Sequence, residues 1–436
     1  MRENLKQQLR GCGISTSDIL LPKKNIDYYK WAVVACDQFT SQRDYWNDVE
    51  VITSDVPSTS KLIFPECYLE DDDKQQRIKN INAAMDDYIK IGVFDCYPDS
   101  FILVERTTIS GTRYGLVASL DLEKYSYAEG SRSLIRATEG TILSRIPPRK
   151  EIRKHASLEL PHIMVLINDA RRLVIEPLVA KRAELECIYD TDLMKGGGHV
   201  KGYLVSSDED IKTVADGISM LYKALDQTNP LLYAMGDGNH SLATAKSIYE
   251  DLKKEKGKEA LDSPCRYALV EIENIFDPAL QFEAIHRVFF NIKLPVFDSL
   301  LSRRGGSITK DRVSSLKEAS DEIRKDSGCL KFAVICGNDY YVYRMKKAKQ
   351  ALSASLIQEC IDNLPEGSSV DYIHGAAVTE EIAKKDGNIG IILPDISKET
   401  FFDAIIRDGA FPRKTFSIGH AEEKRYYMEA RSIRKD

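Results

Sequence analysis

Asp237 and His240 stand three residues apart in Gly236-Asp237-Gly238-Asn239-His240-Ser241, a run that joins a carboxylate, an imidazole and two glycines. That combination suits phosphoryl chemistry. Gly236 and Gly238 let the backbone take positive φ and come close to an anion. A helix beginning just after them turns its unpaired N–H groups and positive dipole end toward the turn, and Asn239 or Ser241 can cap that helix. Asp237 offers the charge that a magnesium ion needs, and His240 a group that titrates near neutrality. The plainer alternative is a glycine-rich turn whose Asp and His cap local backbone groups.

Arg136-Ala137-Thr138-Glu139-Gly140-Thr141 is the second candidate. One carboxylate between two hydroxyls and an arginine suits acid/base work, with Glu139 accepting a proton from a substrate hydroxyl and Arg136 and Thr138 beside it. Alternatively Glu139 is a loop residue that pairs with Arg136 or Arg145. Arg149 and Arg153, four apart on a helical stretch, present two guanidinium groups on one face, a geometry able to grip phosphate. Two shorter clusters, His286-Arg287 and Arg413-Lys414-Thr415, are able to add His286, Arg287, Lys414 and Thr415 to the same site. His162 and His374 sit among apolar neighbours and read as core histidines.

The elements that must hold these residues follow from periodicity. Leu231-Leu232-Tyr233-Ala234-Met235 reads as a buried strand leading into the turn, and a long helix follows Asn239. Apolar positions Ile78, Ile81, Met85 and Tyr88 predict a helix over 73–91. Strands are expected at 101–104 and 114–120, separated by Ser110-Gly111, and at 163–167 and 173–179, with Asn168-Asp169 at their turn. A linker containing Gly196-Gly197-Gly198 precedes a strand at 202–205, a helix over 208–225 and a strand at 267–272. Beyond a segment ending at Phe290, the pattern predicts helices at 312–325, 352–364 and 398–408 and strands at 330–335 and 340–343. The alternation implies an α/β fold of mixed α+β type. The expected units are 1–290 carrying the turn, 291–395 as a smaller α/β unit, and 396–436 as a segment returning to the site.

Composition narrows the function. The chain has 436 residues, 43% hydrophobic and 29% charged, enough for a sizeable core. No stretch approaches the roughly 20 consecutive apolar residues of a membrane span, and the N-terminus lacks an apolar signal core, so a cytoplasmic location is expected. Nine scattered cysteines, none in a Cys-x-x-Cys pair, argue against structural zinc and a disulfide framework. A formal net charge of −6 gives no overall basic field, which speaks against nucleic acid as a partner. The P-loop, the three-glycine dinucleotide turn, the zincin helix and the nucleophile elbow are all missing from the sequence.

Four stretches carry a family resemblance: Ala35-Cys36-Asp37-Gln38-Phe39-Thr40-Ser41-Gln42 with Tyr45-Trp46, the segment 139–153, the turn and helix 236–246, and Pro412-Arg413-Lys414-Thr415-Phe416. Through them the chain resembles the family labelled domain of unknown function 1015 over nearly its full length. That family's turn is usually Asp-Gly-His-His-Arg, and here it reads Asp237-Gly238-Asn239-His240-Ser241. More distantly the turn is similar to the phosphate-binding motif of the ParB and sulfiredoxin superfamily, which includes kinases acting on free L-serine. The resemblance implies a ParB/sulfiredoxin-like core with large insertions and a phosphoryl transfer from pyrophosphate, ADP or ATP to L-serine, giving O-phosphoserine. By position, Asp237 and His240 would handle the phosphoryl group and Glu139 would be the base. Two alternatives stay open, a phosphoserine phosphatase using the same site and a ParB-like nucleotide-gated binding protein.

Overall fold

The computed structural model describes residues 1–304, 306–325 and 328–434, and they form two units, Met1–Gln281 with Gly419–Asp436 and Phe282–Ile418. The expected boundaries at 290 and 395 both fall inside the second unit, which takes in the strand Phe282–Phe290 and the helix Lys398–Asp408.

In the first unit the period-two pattern of the hairpin Phe94–Thr108 and Gly111–Asp121 sets up two apolar faces. Leu103, Leu116 and Ala118 point to one face and pack on Leu5 and Leu9, Ile211, Val214 and Ile218, and Leu242, Ala245 and Tyr249. Those residues belong to the helices Arg2–Gly11, Asp208–Ala224 and Asn239–Lys256. Ile102, Val104 and Val117 point the other way, onto Trp46 and Val49 of the helix Arg43–Thr53 and Ile78, Ile81 and Met85 of the helix Lys74–Lys90. A sheet covered on both faces results, each large side chain contributing roughly 1.5–3 kcal/mol by burial. Its strands run in the order Cys187–Leu193, Gly198–Val205, Phe94–Thr108, Gly111–Asp121, Tyr267–Asn274, Met164–Ile167, Tyr233–Asp237, Ile135–Arg136, Tyr125–Ser126. Parallel and antiparallel pairings mix within it, so the α/β character is of the mixed kind.

Residues after 418 return to this unit as a strap. Tyr426–Tyr427 pairs with Val33–Val34, and Arg431–Ser432 with Leu158–Glu159. Burying so many polar groups requires partners, and the strap supplies them. Arg425 pairs with Glu271 and Glu429 and donates from Nε to the Pro161 carbonyl at 3.0 Å. Glu429 also accepts from the Tyr189 hydroxyl at 2.6 Å, and Arg431 donates to Glu159 at 2.7 Å.

Glu273 lies beside this network, fully buried, with Oε1 accepting from Arg113 Nε at 2.9 Å and Oε2 without a hydrogen-bond partner. Burial pushes its carboxyl up to about 8; Arg113 opposes the shift, and Glu271 and Asp277 reinforce it. A carboxyl raised from 4.5 contributes stability that is complete below that value and lost as pH rises through about 8. Glu273→Gln should therefore match the parent within about 1 kcal/mol near pH 4.5 and exceed it increasingly as pH rises to about 8 and beyond, read from urea midpoints. Equal pH dependence in both proteins would show that Glu273 is ionised throughout.

The second unit is built on a sheet in the order Ser307–Val313, Asp339–Lys346, Leu330–Cys336, Asn388–Ile392, Phe282–Phe290, Ser369–His374, with Phe416–Ile418 paired to the start of Phe282–Phe290. Phe289, Phe297, Phe332, Tyr343 and Leu356 form its core. Among the described residues no helix is long and apolar enough to cross a membrane.

Several local expectations change. Residues 173–175 form no strand, and 176–180 are the helix Glu176–Ala180, because Asp169 Oδ2 accepts the Leu173 and Val174 N–H groups and Pro177 fits the first helical turn. The Gly196-Gly197-Gly198 segment is no linker but the bend joining the paired strands Cys187–Leu193 and Gly198–Val205. Residue 312 belongs to the edge strand Ser307–Val313, and the helix begins at Leu316 behind the Ser315 cap. His374 is exposed on the strand Ser369–His374 and pairs with Glu283 at 2.8 Å, so it is not a core histidine.

Candidate functional site

The strand Tyr233–Asp237 runs between Met164–Ile167 and Ile135–Arg136, with Tyr233, Ala234 and Met235 fully buried. Apolar anchoring ends at Gly236, and residues 236, 237, 239, 240 and 241 are half-buried. Gly238 turns the chain with φ at +79° and is itself the cap of the 18-residue helix Asn239–Lys256. Any Cβ there would meet Ile163 Cα at 3.2 Å and Cγ1 at 3.1 Å, so both conformation and space demand glycine. The cap has no side chain to bond the first-turn N–H groups. Asn239 and Ser241 are therefore not the cap, contrary to expectation; a residue with αL backbone precedes them both.

Asn239 instead ties down the loop beside the helix. Its Oδ1 accepts from the Thr138 N–H at 3.2 Å, and its Nδ2 donates to Thr138 Oγ1 at 3.4 Å. Thr138 Oγ1 donates in turn to the Met235 carbonyl at 2.8 Å. One residue along the helix, His240 Nε2 accepts from the Ile142 N–H at 3.3 Å, a role that leaves this nitrogen unprotonated. Two side chains of the first turn thus staple residues 138–142 over the helix start, with half-buried Glu139 between the staples.

Asp237 carries the charge of the turn. Its Oδ1 accepts from the Gly238 N–H at 2.7 Å, and its Oδ2 lies 3.1 Å from Lys424 Nζ. Burial works to raise this carboxyl, but Lys424, the Gly238 N–H and His162 outweigh it and hold it below the usual carboxylate range. Beyond it, His162 Nδ1 and the Tyr427 hydroxyl are 2.9 Å apart, His162 Nε2 is 4.0 Å from Asp37 Oδ2, and Tyr427 Oη accepts from the Cys36 N–H at 3.2 Å. Glu66 accepts from Arg149 Nε at 2.9 Å, and burial raises its carboxyl against the pull of Arg149.

Of the residues expected at the site, Gly236, Asp237, Gly238, Asn239, His240, Ser241, Thr138 and Glu139 come together around the helix start. Arg149 and Arg153 lie on one short helix, Ile146–Arg153, but their guanidinium groups engage Glu66 and Glu159. Arg136 is buried and donates to the Ser133 and Pro230 carbonyls at 2.9 and 2.7 Å and to Asn229 Oδ1, fixing the chain before the strand. His286, Arg287, Lys414 and Thr415 belong to the second unit. There His286 Nδ1 accepts from the Leu393 N–H at 3.2 Å, and burial lowers its imidazole to about 4. Arg287 and Lys414 lie over the Tyr372 ring at 4.5 and 5.3 Å, and Thr415 donates to the Pro412 carbonyl at 2.5 Å.

Lys424, His162, Tyr427, Asp37 and Glu66 went unidentified as parts of the site. Asp37 stands in a stretch singled out in the sequence, and His162, expected as a core histidine, is instead half-buried between Tyr427 and Asp37. A protein-held magnesium ion does not fit these residues. Asp237 faces an ammonium and a backbone N–H, and among the described residues no three His, Cys, Asp or Glu side chains are grouped to hold a metal.

The profile of the family described as protein of unknown function (DUF1015) matches residues 20–364. No curated protein matches the sequence. Among solved structures, a free serine kinase variant in complex with AMP aligns at 11% identity with a TM-score of 0.40, over 72% of this chain and 91% of that one. A conserved hypothetical protein from Pyrococcus furiosus aligns at 12% identity with a TM-score of 0.35, over 72% and 90%. SbnI with C-terminal truncation from Staphylococcus aureus aligns at 9% identity with a TM-score of 0.36, over 70% and 82%.

Proposed function

The chain belongs to the DUF1015 family, and for this member we propose a phosphotransferase that moves a phosphoryl group from pyrophosphate or a nucleotide to the hydroxyl of a small molecule, free L-serine first among the candidates. The observation that carries this reading is the pair of staples, Asn239 to Thr138 and His240 to Ile142, which holds the segment carrying Glu139 against a glycine-capped helix start. A phosphate-binding core of the ParB/sulfiredoxin kind is the matching proposal for the fold. The turn holds the transferring phosphate through first-turn N–H groups and the helix dipole. Glu139 takes the hydroxyl proton as the acceptor oxygen bonds to phosphorus, and the bond to the leaving phosphate breaks with its electron pair. No step is assigned to a metal ion.

Phosphorus NMR of the full chain with L-serine and, separately, pyrophosphate, ADP and ATP, with and without magnesium, tests this. A phosphoserine resonance growing with one donor is the expected result. Orthophosphate released from added phosphoserine, with no transfer in any mixture, would make the protein a phosphatase instead.

Glu139→Gln keeps the volume and one acceptor oxygen but cannot take the proton. Turnover should fall about a hundredfold, with donor affinity little changed. A fully active variant would leave Glu139 as a loop residue and remove the base from the mechanism.

A further inference from the structure

Resting on the phosphotransferase reading, we propose that Lys424 is the cation that meets the donor's phosphate at the turn, held poised by Asp237 until the anion arrives. Lys424 is 9% exposed, and its ammonium lies 3.1 Å from the carboxylate of the residue just before the glycine cap. A helix start supplies about half a positive charge, too little for a phosphoryl group carrying two or more negative charges. The remaining charge must come from side chains, and Arg149 and Arg153 are already held by Glu66 and Glu159.

The chain fixes Lys424 from both sides. Before it, Glu423 accepts from the Thr108 hydroxyl at 2.7 Å, from the Ser110 N–H at 3.1 Å and from the His420 N–H at 2.8 Å. After it come buried Arg425 and the pairing of Tyr426–Tyr427 with Val33–Val34. Such anchoring fits a cation whose position matters, because a buried ion pair alone adds little stability over apolar side chains of similar size. Asp237 is the counterweight. Its carboxylate is ionised at neutral pH and repels an incoming anion, so the ammonium must exchange part of its bond with Asp237 for one with phosphate.

Titration calorimetry with inorganic pyrophosphate on the full chain tests this, with circular dichroism confirming the fold of each variant. Lys424→Met should bind at least about tenfold more weakly than the parent, and Lys424→Arg within about threefold of it. Asp237→Asn, which removes the repulsion and releases the ammonium, should bind at least about threefold more tightly. The double variant, Asp237→Asn with Lys424→Met, should bind at least about tenfold more weakly than Asp237→Asn alone. Where Lys424→Met fails to fold, Lys424→Gln, which keeps a polar partner for Asp237, takes its place. Parental affinity in Lys424→Met, or weakened binding in Asp237→Asn, would overturn the role of Lys424 and leave the phosphotransferase reading standing. Pyrophosphate that binds equally well to Gly238→Val lies elsewhere than at the turn, and both readings fall together.

Discussion

Arg425→Met is expected to destabilise the protein by about 3–5 kcal/mol, the usual cost of removing one partner from a buried charge network. Arg425 pairs with Glu271 and Glu429 and also donates to the Pro161 carbonyl, and all of these groups are withdrawn from water. Methionine fills much of the space but leaves two carboxylates without their counter-charge, and Glu271 Oε1 already has no hydrogen-bond partner. Urea denaturation of the first unit's signal, from Trp31 and Trp46, should show the midpoint move down at unchanged slope. A loss below about 1 kcal/mol would mean that the network holds without its guanidinium.

Asp237→Asn is expected to slow turnover by two to three orders of magnitude, roughly 2.7–4 kcal/mol of transition-state stabilisation, with the fold intact. The amide keeps an acceptor for the Gly238 N–H, so the turn should hold its shape. What disappears is the charge that orients Lys424. An ammonium that is no longer oriented fails to meet the charge developing in the transition state, which accounts for most of the fall in kcat, while its tighter hold on the ground-state anion lowers KM about threefold. Turnover near the parental value would reduce Asp237 to a turn residue. The measurement is a steady-state comparison of parent and variant with the donor found by phosphorus NMR.

The strand, turn and helix around Gly238 were legible because every signal there is local: an apolar run, two glycines, and helical spacing from Leu242 to Tyr249. The staples were half legible. Thr138, Glu139, Asn239 and His240 stood out by type, but the bonds joining two segments about a hundred residues apart leave no trace in spacing. Lys424, His162 and Tyr427 were hidden for the same reason. Lys424 sits in a charged run, Glu422-Glu423-Lys424-Arg425, that reads as a solvated surface until the strap is seen to be buried. The misread strand at 173–179 shows the other limit. A short apolar run followed by Glu176-Pro177 suits either period, and the contacts of Asp169 decide it.

The strap also sets a schedule. Met1–Gln281 holds the turn, the staples and Glu271, which awaits Arg425, yet Lys424 and Arg425 are made only after the whole of Phe282–Ile418 has been translated. At roughly 5–20 residues per second, that interval lasts on the order of ten seconds. A nascent chain therefore carries the turn before it carries the lysine that faces it, and a ribosome that stalls anywhere before residue 424 releases a polypeptide whose acidic residues have no cation to close on. The turn and its lysine come together only after synthesis has passed residue 424.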